Sequence, residues 1–231
     1  MLFRSFIQCS PHNPVGRVWT EEELDKVLSI CKTHNVLVVS DEIHQDIIIG
    51  ENVQIPAAIV SGGKYADNII TVTAPSKTFN LAGLLNCNII ISNKKIMERY
   101  DVYSKTINKT EVNIMGITAA EAAYNYGKKW LSSLLDVIKY NYNYVKERLA
   151  DKAPKIIITP LEGTYLIWMD LRGYIKPSET KAFIQGKCRL AVDYGEWFSK
   201  DCKGFIRLNM ATNPKYVEKA VDNIIKNINC L

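Results

Sequence analysis

The sequence predicts an α/β fold, a mostly parallel sheet with helices, followed by a smaller α+β domain. Residues 36–40 form a continuous apolar run rich in β-branched side chains, as a strand buried on both faces requires. A helix signature stands just before it, with Thr20 and Glu23 at capping-box spacing. Polar segments follow apolar runs at 11–14, 40–44 and 74–80. Such segments are where an open α/β sheet gathers ligand-binding residues, outside the carboxyl ends of its strands.

The elements follow in order. Leu2, Phe3, Phe6 and Ile7 read as a strand within residues 2–8. The helix opened by Thr20 runs to about His34, with Leu24, Val27, Leu28 and Cys31 as its buried stripe, and Asn35 ends it. Residues 68–73 and 87–92 are two further strands. From Asn93 the pattern turns helical, over 94–103, 113–126 and 130–149. In the last of these Leu131, Leu134, Leu135, Ile138, Tyr142, Val145 and Leu149 share one face, and Pro154 closes the region. Strands at 155–159, 164–170 and 204–209 and helices at 178–185 and 214–228 complete the chain. This pattern places a partial large domain over 1–128, a connecting helix over 129–150 and a small C-terminal domain over 151–231.

Composition narrows the function classes. Of 231 residues 47% are hydrophobic and 23% charged, as in ordinary globular proteins. The formal charge is +5, with the lysines spread along the chain, so a solvated basic surface is expected rather than a nucleic-acid site. No apolar run approaches the roughly 20 residues of a membrane helix, and the first residues lack the long apolar stretch of a signal peptide. The six cysteines form no C-x-x-C pair, which fits reduced thiols in a cytoplasmic protein better than a disulfide framework.

The polar segments supply an amide (Asn13), an acid (Asp41) and an amine (Lys77), each delivered by a strand end. Pyridoxal 5'-phosphate (PLP) needs such a set: a lysine for the Schiff base, an acid for the pyridinium nitrogen, and donors for the phenolic oxygen and phosphate. Each residue also has a plainer reading. Lys77 taken alone is a surface lysine. Asp41 can cap the turn after its strand, and Asn13 lies in Pro-x-Asn-Pro-x-Gly turn chemistry. Asp41, Glu42, His44 and Asp46 could hold a metal, but no second His/Cys cluster supports that, and no metal is expected. Arg207 sits inside an apolar strand and needs an anionic partner. A bidentate substrate carboxylate and an internal ion pair satisfy that need equally well. Tyr165 and Trp168 read as core.

Four segments occur in register: Pro11-His12-Asn13-Pro14-Val15-Gly16-Arg17-Val18-Trp19, Ser40-Asp41-Glu42-Ile43-His44, Ser76-Lys77-Thr78-Phe79-Asn80 and Phe205-Ile206-Arg207-Leu208-Asn209. Together they resemble the class I/II aminotransferase superfamily of PLP fold type I. Within it they resemble the MalY/PatB branch of cystathionine β-lyases (cysteine-S-conjugate β-lyases), from about residue 7 to the end. The resemblance implies that Lys77 is the catalytic Schiff-base lysine and that Asp41 pairs with the pyridine nitrogen. It puts Asn13 near the phenolic oxygen, Ser76 at the phosphate and Arg207 at the substrate α-carboxylate. Most aminotransferases carry a tyrosine three residues after the aspartate. Here that position is His44, as in the β-lyase branch, and an imidazole can still hydrogen-bond the phenolic oxygen.

The implied reaction is PLP-dependent β-elimination from cystathionine or another cysteine S-conjugate, giving thiol, pyruvate and ammonia. An aminotransferase is the alternative and a non-catalytic fragment the second alternative. A small amino-acid substrate and a homodimer are implied as partners, with no nucleic acid and no membrane. The sequence departs from the family in three places. Ser10 replaces a usual Asn. Ala74 replaces a usual hydroxyl residue. Relatives also carry a long N-terminal part with a glycine-containing phosphate loop and a cofactor-stacking aromatic, so the match implies an N-terminally truncated chain with an unpaired apolar edge at its first strand. Weak PLP binding and little turnover are expected of residues 1–231 alone.

Overall fold

The computed structural model describes residues 4–107 and 111–230. The chain divides into two compact units, one of Met1–His12 with Val18–Leu131, the other of Asn13–Arg17 with Ser132–Leu231.

The first unit is a four-stranded sheet with helices. Strand β1 (Ser5–Cys9) is parallel to β2 (Leu37–Asp41), which is parallel to β3 (Ile69–Thr73), and β4 (Asn88–Ile91) runs antiparallel to β3. The sheet order β1-β2-β3-β4 makes the expected mostly parallel sheet, with β1 and β4 at its edges among the described residues. Phe6 and Ile7 on β1 are exposed. Residues 2 and 3 of that expected strand lie outside the described residues.

Helix α1 (Glu21–Thr33) begins at the expected capping box. Thr20 Oγ1 accepts from the Glu23 amide while Glu23 Oε2 accepts from the Thr20 amide. These bonds satisfy two amides that a helix start would otherwise leave bare. Leu24, Leu28 and Cys31 of α1 join Val38, Ala57, Val60, Tyr65 and Ile69 in the core, and Val27 packs against it. The single-turn helix α2 (Pro75–Thr78) follows β3 directly, and α3 (Lys94–Thr106) and α4 (Ile114–Tyr126) follow β4.

Helix α5 (Lys128–Lys152) starts in the first unit and continues in the second. There β5 (Ile157–Ile158), β6 (Leu166–Asp170), β7 (Asp193–Tyr194) and β8 (Phe205–Asn209) form an antiparallel sheet of order β5-β6-β8-β7. Helix α6 (Pro214–Ile228) buries Val217, Ala220, Val221, Ile224 and Ile228, the face its sequence period sets. Trp168 is core, stacked on Phe205 at 5.4 Å between ring centres. Among the described residues no helix is long and apolar enough to cross a membrane.

Several expectations change. The α-helix expected over 178–185 is a 3₁₀ turn, Pro177–Glu179, followed by a π-helix, Ala182–Lys187. The wider π turn closes with the Cys188 amide donating to the Phe183 carbonyl and leaves Phe183 and Ile184 buried. The strand expected from Thr164 starts at Leu166, because Thr164 has φ +70° and its hydroxyl accepts from the Leu166 amide. Strand β7 had no signal in the sequence, being two residues long.

Candidate active site

In the first unit the parallel strands bring two of the expected segments, those of Asp41 and Lys77, to one end of the sheet. Asp41 ends β2, in register with Cys9 of β1 and next to Val72 of β3. Its carbonyl accepts from the Ser10 amide at 3.0 Å, and Oδ1 accepts from the Ile43 amide at 3.3 Å. The Glu42 amide donates to the Val72 carbonyl at 2.9 Å, locking the turn onto β3. His44 is buried in that turn, and its carbonyl accepts from the Ile47 amide. Ser76 and Lys77, both half-buried, lie on α2, one residue beyond the end of β3 and its following Ala74. Ala74 is the N-cap of α2 and gives no side-chain cap, which a hydroxyl at that position could supply.

Neighbouring contacts hold these pieces. Thr78, next to Lys77, donates from Oγ1 to Asp46 Oδ2 at 2.8 Å. Phe79 packs edge-on to Tyr124 at 5.3 Å and against Trp130 at 6.0 Å. Ser10 is buried, and its hydroxyl donates to Gln54 Oε1 while Gln54 Nε2 donates to the Ser10 carbonyl. His12 lies edge-on to Trp19, and burial pushes its pKa down.

The two acids at the end of β2 differ in setting. Glu42 is 1% exposed. Its Oε1 accepts from Ser40 Oγ at 2.7 Å and from the Ala57 amide at 2.9 Å, and its Oε2 is buried without a partner. Burial raises its pKa, the Ala57 and Ser40 hydrogen bonds oppose that, and the Asp41 charge adds to it. Asp41 is half-buried, and neither it nor Lys77 forms an ion pair among the described residues. An acid and an amine without ionic partners among the described residues, at one sheet end, are a set that a protonated pyridine bearing an aldehyde fits.

The second unit gathers the other two expected residues. Asn13 and Arg207 meet directly, with Arg207 Nη1 donating to Asn13 Oδ1. Arg207 also donates from Nε and Nη2 to Asp193 Oδ2 at 3.1 and 2.6 Å, and its guanidinium lies over the Phe198 ring at 4.8 Å. The sequence reading left Arg207 between a substrate carboxylate and an internal ion pair, and the fold supplies the internal partner. Asp193 itself was missed. The turn that carries Asn13 is held by Gly16, whose carbonyl accepts from the amides of Glu162 and Gly163. Gly16 has φ +80°, and a Cβ there would meet Leu161 Cδ1 at 2.9 Å.

Comparison with known proteins gives the family. The aminotransferase class I and II family matches residues 4–224. The chain is 36% identical over 205 residues to cystathionine β-lyase PatB of Bacillus subtilis, covering 88% of this chain and 53% of that protein. It is 33% identical over 223 residues to protein MalY of Escherichia coli, covering 95% and 56%. The crystal structure of cystalysin from Treponema denticola, which contains a pyridoxal 5'-phosphate cofactor, superposes with a TM-score of 0.92 at 34% identity, covering 98% of this chain and 58% of that one. The chain thus spans little more than half the length of the relatives it matches. The four motif segments fall within the matched residues, and the chain belongs to the aminotransferase class I and II family.

Proposed function

We propose that the chain forms part of a PLP-dependent carbon–sulfur β-lyase acting on cystathionine or another cysteine S-conjugate. The observation that carries this is the set at the carboxyl end of the parallel strands: Asp41 and Lys77 without ionic partners, with His44 rather than a tyrosine in the turn between them. In this reading Lys77, Asp41, His44, Ser76 and Asn13 hold the cofactor, and Arg207 binds the substrate α-carboxylate. PLP when bound supplies an electron sink for negative charge at the substrate α-carbon.

The chain's own groups then have defined tasks. Asp41 would pair with the cofactor's ring nitrogen. His44 hydrogen-bonds the phenolic oxygen and the Ser76 hydroxyl donates to the phosphate. Lys77 Nζ takes the proton from the substrate α-carbon as general base. The sulfur leaves the β-carbon and takes up a proton as thiol, in balance with the proton removed from the α-carbon, and water hydrolyses the remaining three-carbon fragment to pyruvate and ammonia. Similarity to proteins named cystathionine β-lyase supports this reaction over amino transfer.

The family dimer belongs to the same proposal. Ile114, Met115 and Ile117 of α4 are exposed and apolar, a surface suited to burial against a second copy. The proposed location is cytoplasmic, in keeping with the free cysteines. The deciding experiment adds PLP and L-cystathionine to the protein and follows the Schiff-base absorbance and pyruvate release. The expected result for residues 1–231 alone is a weak absorbance band lost on dialysis and little pyruvate, with neither seen in Lys77→Ala; a Lys77-dependent band that survives dialysis would show that the chain holds the cofactor by itself. Transfer of the amino group to a keto acid with no pyruvate would overturn the lyase reading in favour of an aminotransferase.

A further inference from the structure

The guanidinium of Arg207 is not a bare cation. Asp193 and Arg207 are cross-strand partners in the β7–β8 register, so the backbone itself sets them opposite each other. Asp193 Oδ2 accepts from both Nε and Nη2, which takes the side edge of the guanidinium fork. Asn13 Oδ1 takes one hydrogen of Nη1, and Phe198 covers one face of the plane. Arginine has five N–H donors in a fixed plane. With the side edge filled, the edge formed by Nη1 and Nη2 is the one that a second carboxylate can grip with two parallel bonds. The Arg207 side chain is 16% exposed and that of Asp193 39% exposed, so the site can be reached from solvent and the pair's attraction is screened.

We propose that Asp193 is a positioning residue for carboxylate recognition: it fixes the rotation of the Arg207 guanidinium so that an incoming α-carboxylate is received end-on, at Nη1 and Nη2. The inference rests on the reading of Arg207 as the carboxylate anchor. A long, flexible arginine loses rotamer freedom when it binds a ligand, and that cost lowers affinity. Asp193 has already ordered the side chain before the ligand arrives. Its position on a strand paired with β8 keeps it from swinging away, which distinguishes it from a mobile competitor that the ligand must displace.

The test uses propionate as a simple carboxylate probe on the full chain, in wild type, Arg207→Met, Asp193→Ala and Asp193→Asn. Binding is read from the side-chain amide resonance of Asn13, which is present in all four, and folding is checked by melting temperature. Asparagine keeps an acceptor for the Arg207 N–H groups, whereas alanine does not. Saturable propionate binding in wild type, lost in Arg207→Met, weakened roughly five-fold in Asp193→Ala and restored in Asp193→Asn, is the expected pattern. A role in stability alone would move the melting temperatures without this affinity pattern. Binding that needs Arg207 but is unchanged or tighter in Asp193→Ala overturns the role of Asp193 and leaves the anchor intact. No saturable binding in wild type, or none that depends on Arg207, removes the anchor role and the proposal with it.

Discussion

Thr78 Oγ1 donates to Asp46 Oδ2 at 2.8 Å and so joins the turn after β2 to the single-turn helix that carries Lys77. Thr78 is fully buried, and Asp46 is half-buried two residues beyond His44. The bond couples two segments that leave the sheet from neighbouring strands. Thr78→Val keeps the shape but removes the donor to a charged acceptor. It is expected to cost about 1.5–3 kcal/mol, read as a lower denaturant midpoint at constant slope. Thr78→Ser, which keeps the hydroxyl, should recover most of that loss.

Glu42 gives the fold a pH dependence of definite sign. Burial holds its pKa above the usual 4.5, so the folded state keeps a proton that the unfolded chain has lost. Its stabilising contribution is complete below pH 4.5 and is lost as pH rises through the raised folded value. Asp170 works in the opposite sense. Its hydrogen bonds from the Arg172 side chain lower its pKa, so its contribution is lost as pH falls through the lowered folded value. The difference in unfolding free energy between wild type and Glu42→Gln isolates the first effect. Wild type should lose stability relative to the variant as pH rises above 4.5. A difference that does not change with pH would show Glu42 to be ionised normally.

Asn141 is a buried polar residue on the apolar face of α5, where Nδ2 donates to the carbonyls of Met210 at 2.8 Å and Thr212 at 2.9 Å. Those carbonyls follow β8 and have left its ladder. Asn141→Leu removes both bonds and leaves the carbonyl of the buried Met210 without this partner, with an expected loss of about 1–3 kcal/mol in denaturant unfolding. An ordinary surface substitution such as Lys139→Gln on the same helix should stay within about 0.5 kcal/mol.

Gly16→Ala tests the turn that carries Asn13. The positive φ strains any side chain there, and the new methyl would press on Leu161. A loss of about 1–2 kcal/mol is expected in thermal unfolding. The altered turn should also shift the Asn13 side-chain amide resonance, since Asn13 lies in the same turn and contacts Arg207.

What the sequence by itself determined is local or periodic. The Thr20–Glu23 capping box works across a fixed spacing on one chain segment, so its residues could be read without a fold. The apolar face of α6 repeats with the helix, and β2 is a continuous apolar run, although burial along it alternates, with Val38 and Ser40 buried and Leu37 and Val39 half-buried. The strand ends near Asp41 and Lys77 could likewise be read, because each follows an apolar run closely. The tertiary structure alone decided the partners. Asp193 reaches Arg207 through the register of a two-residue strand, too short to leave a pattern. Asp46 reaches Thr78 from 32 residues away, and Asn141 meets carbonyls 69 and 71 residues along the chain. Backbone periodicity is set by neighbours in sequence and leaves a mark at fixed spacing. A side-chain hydrogen bond between distant segments leaves none, because its spacing depends on how the strands pair and where the loops return.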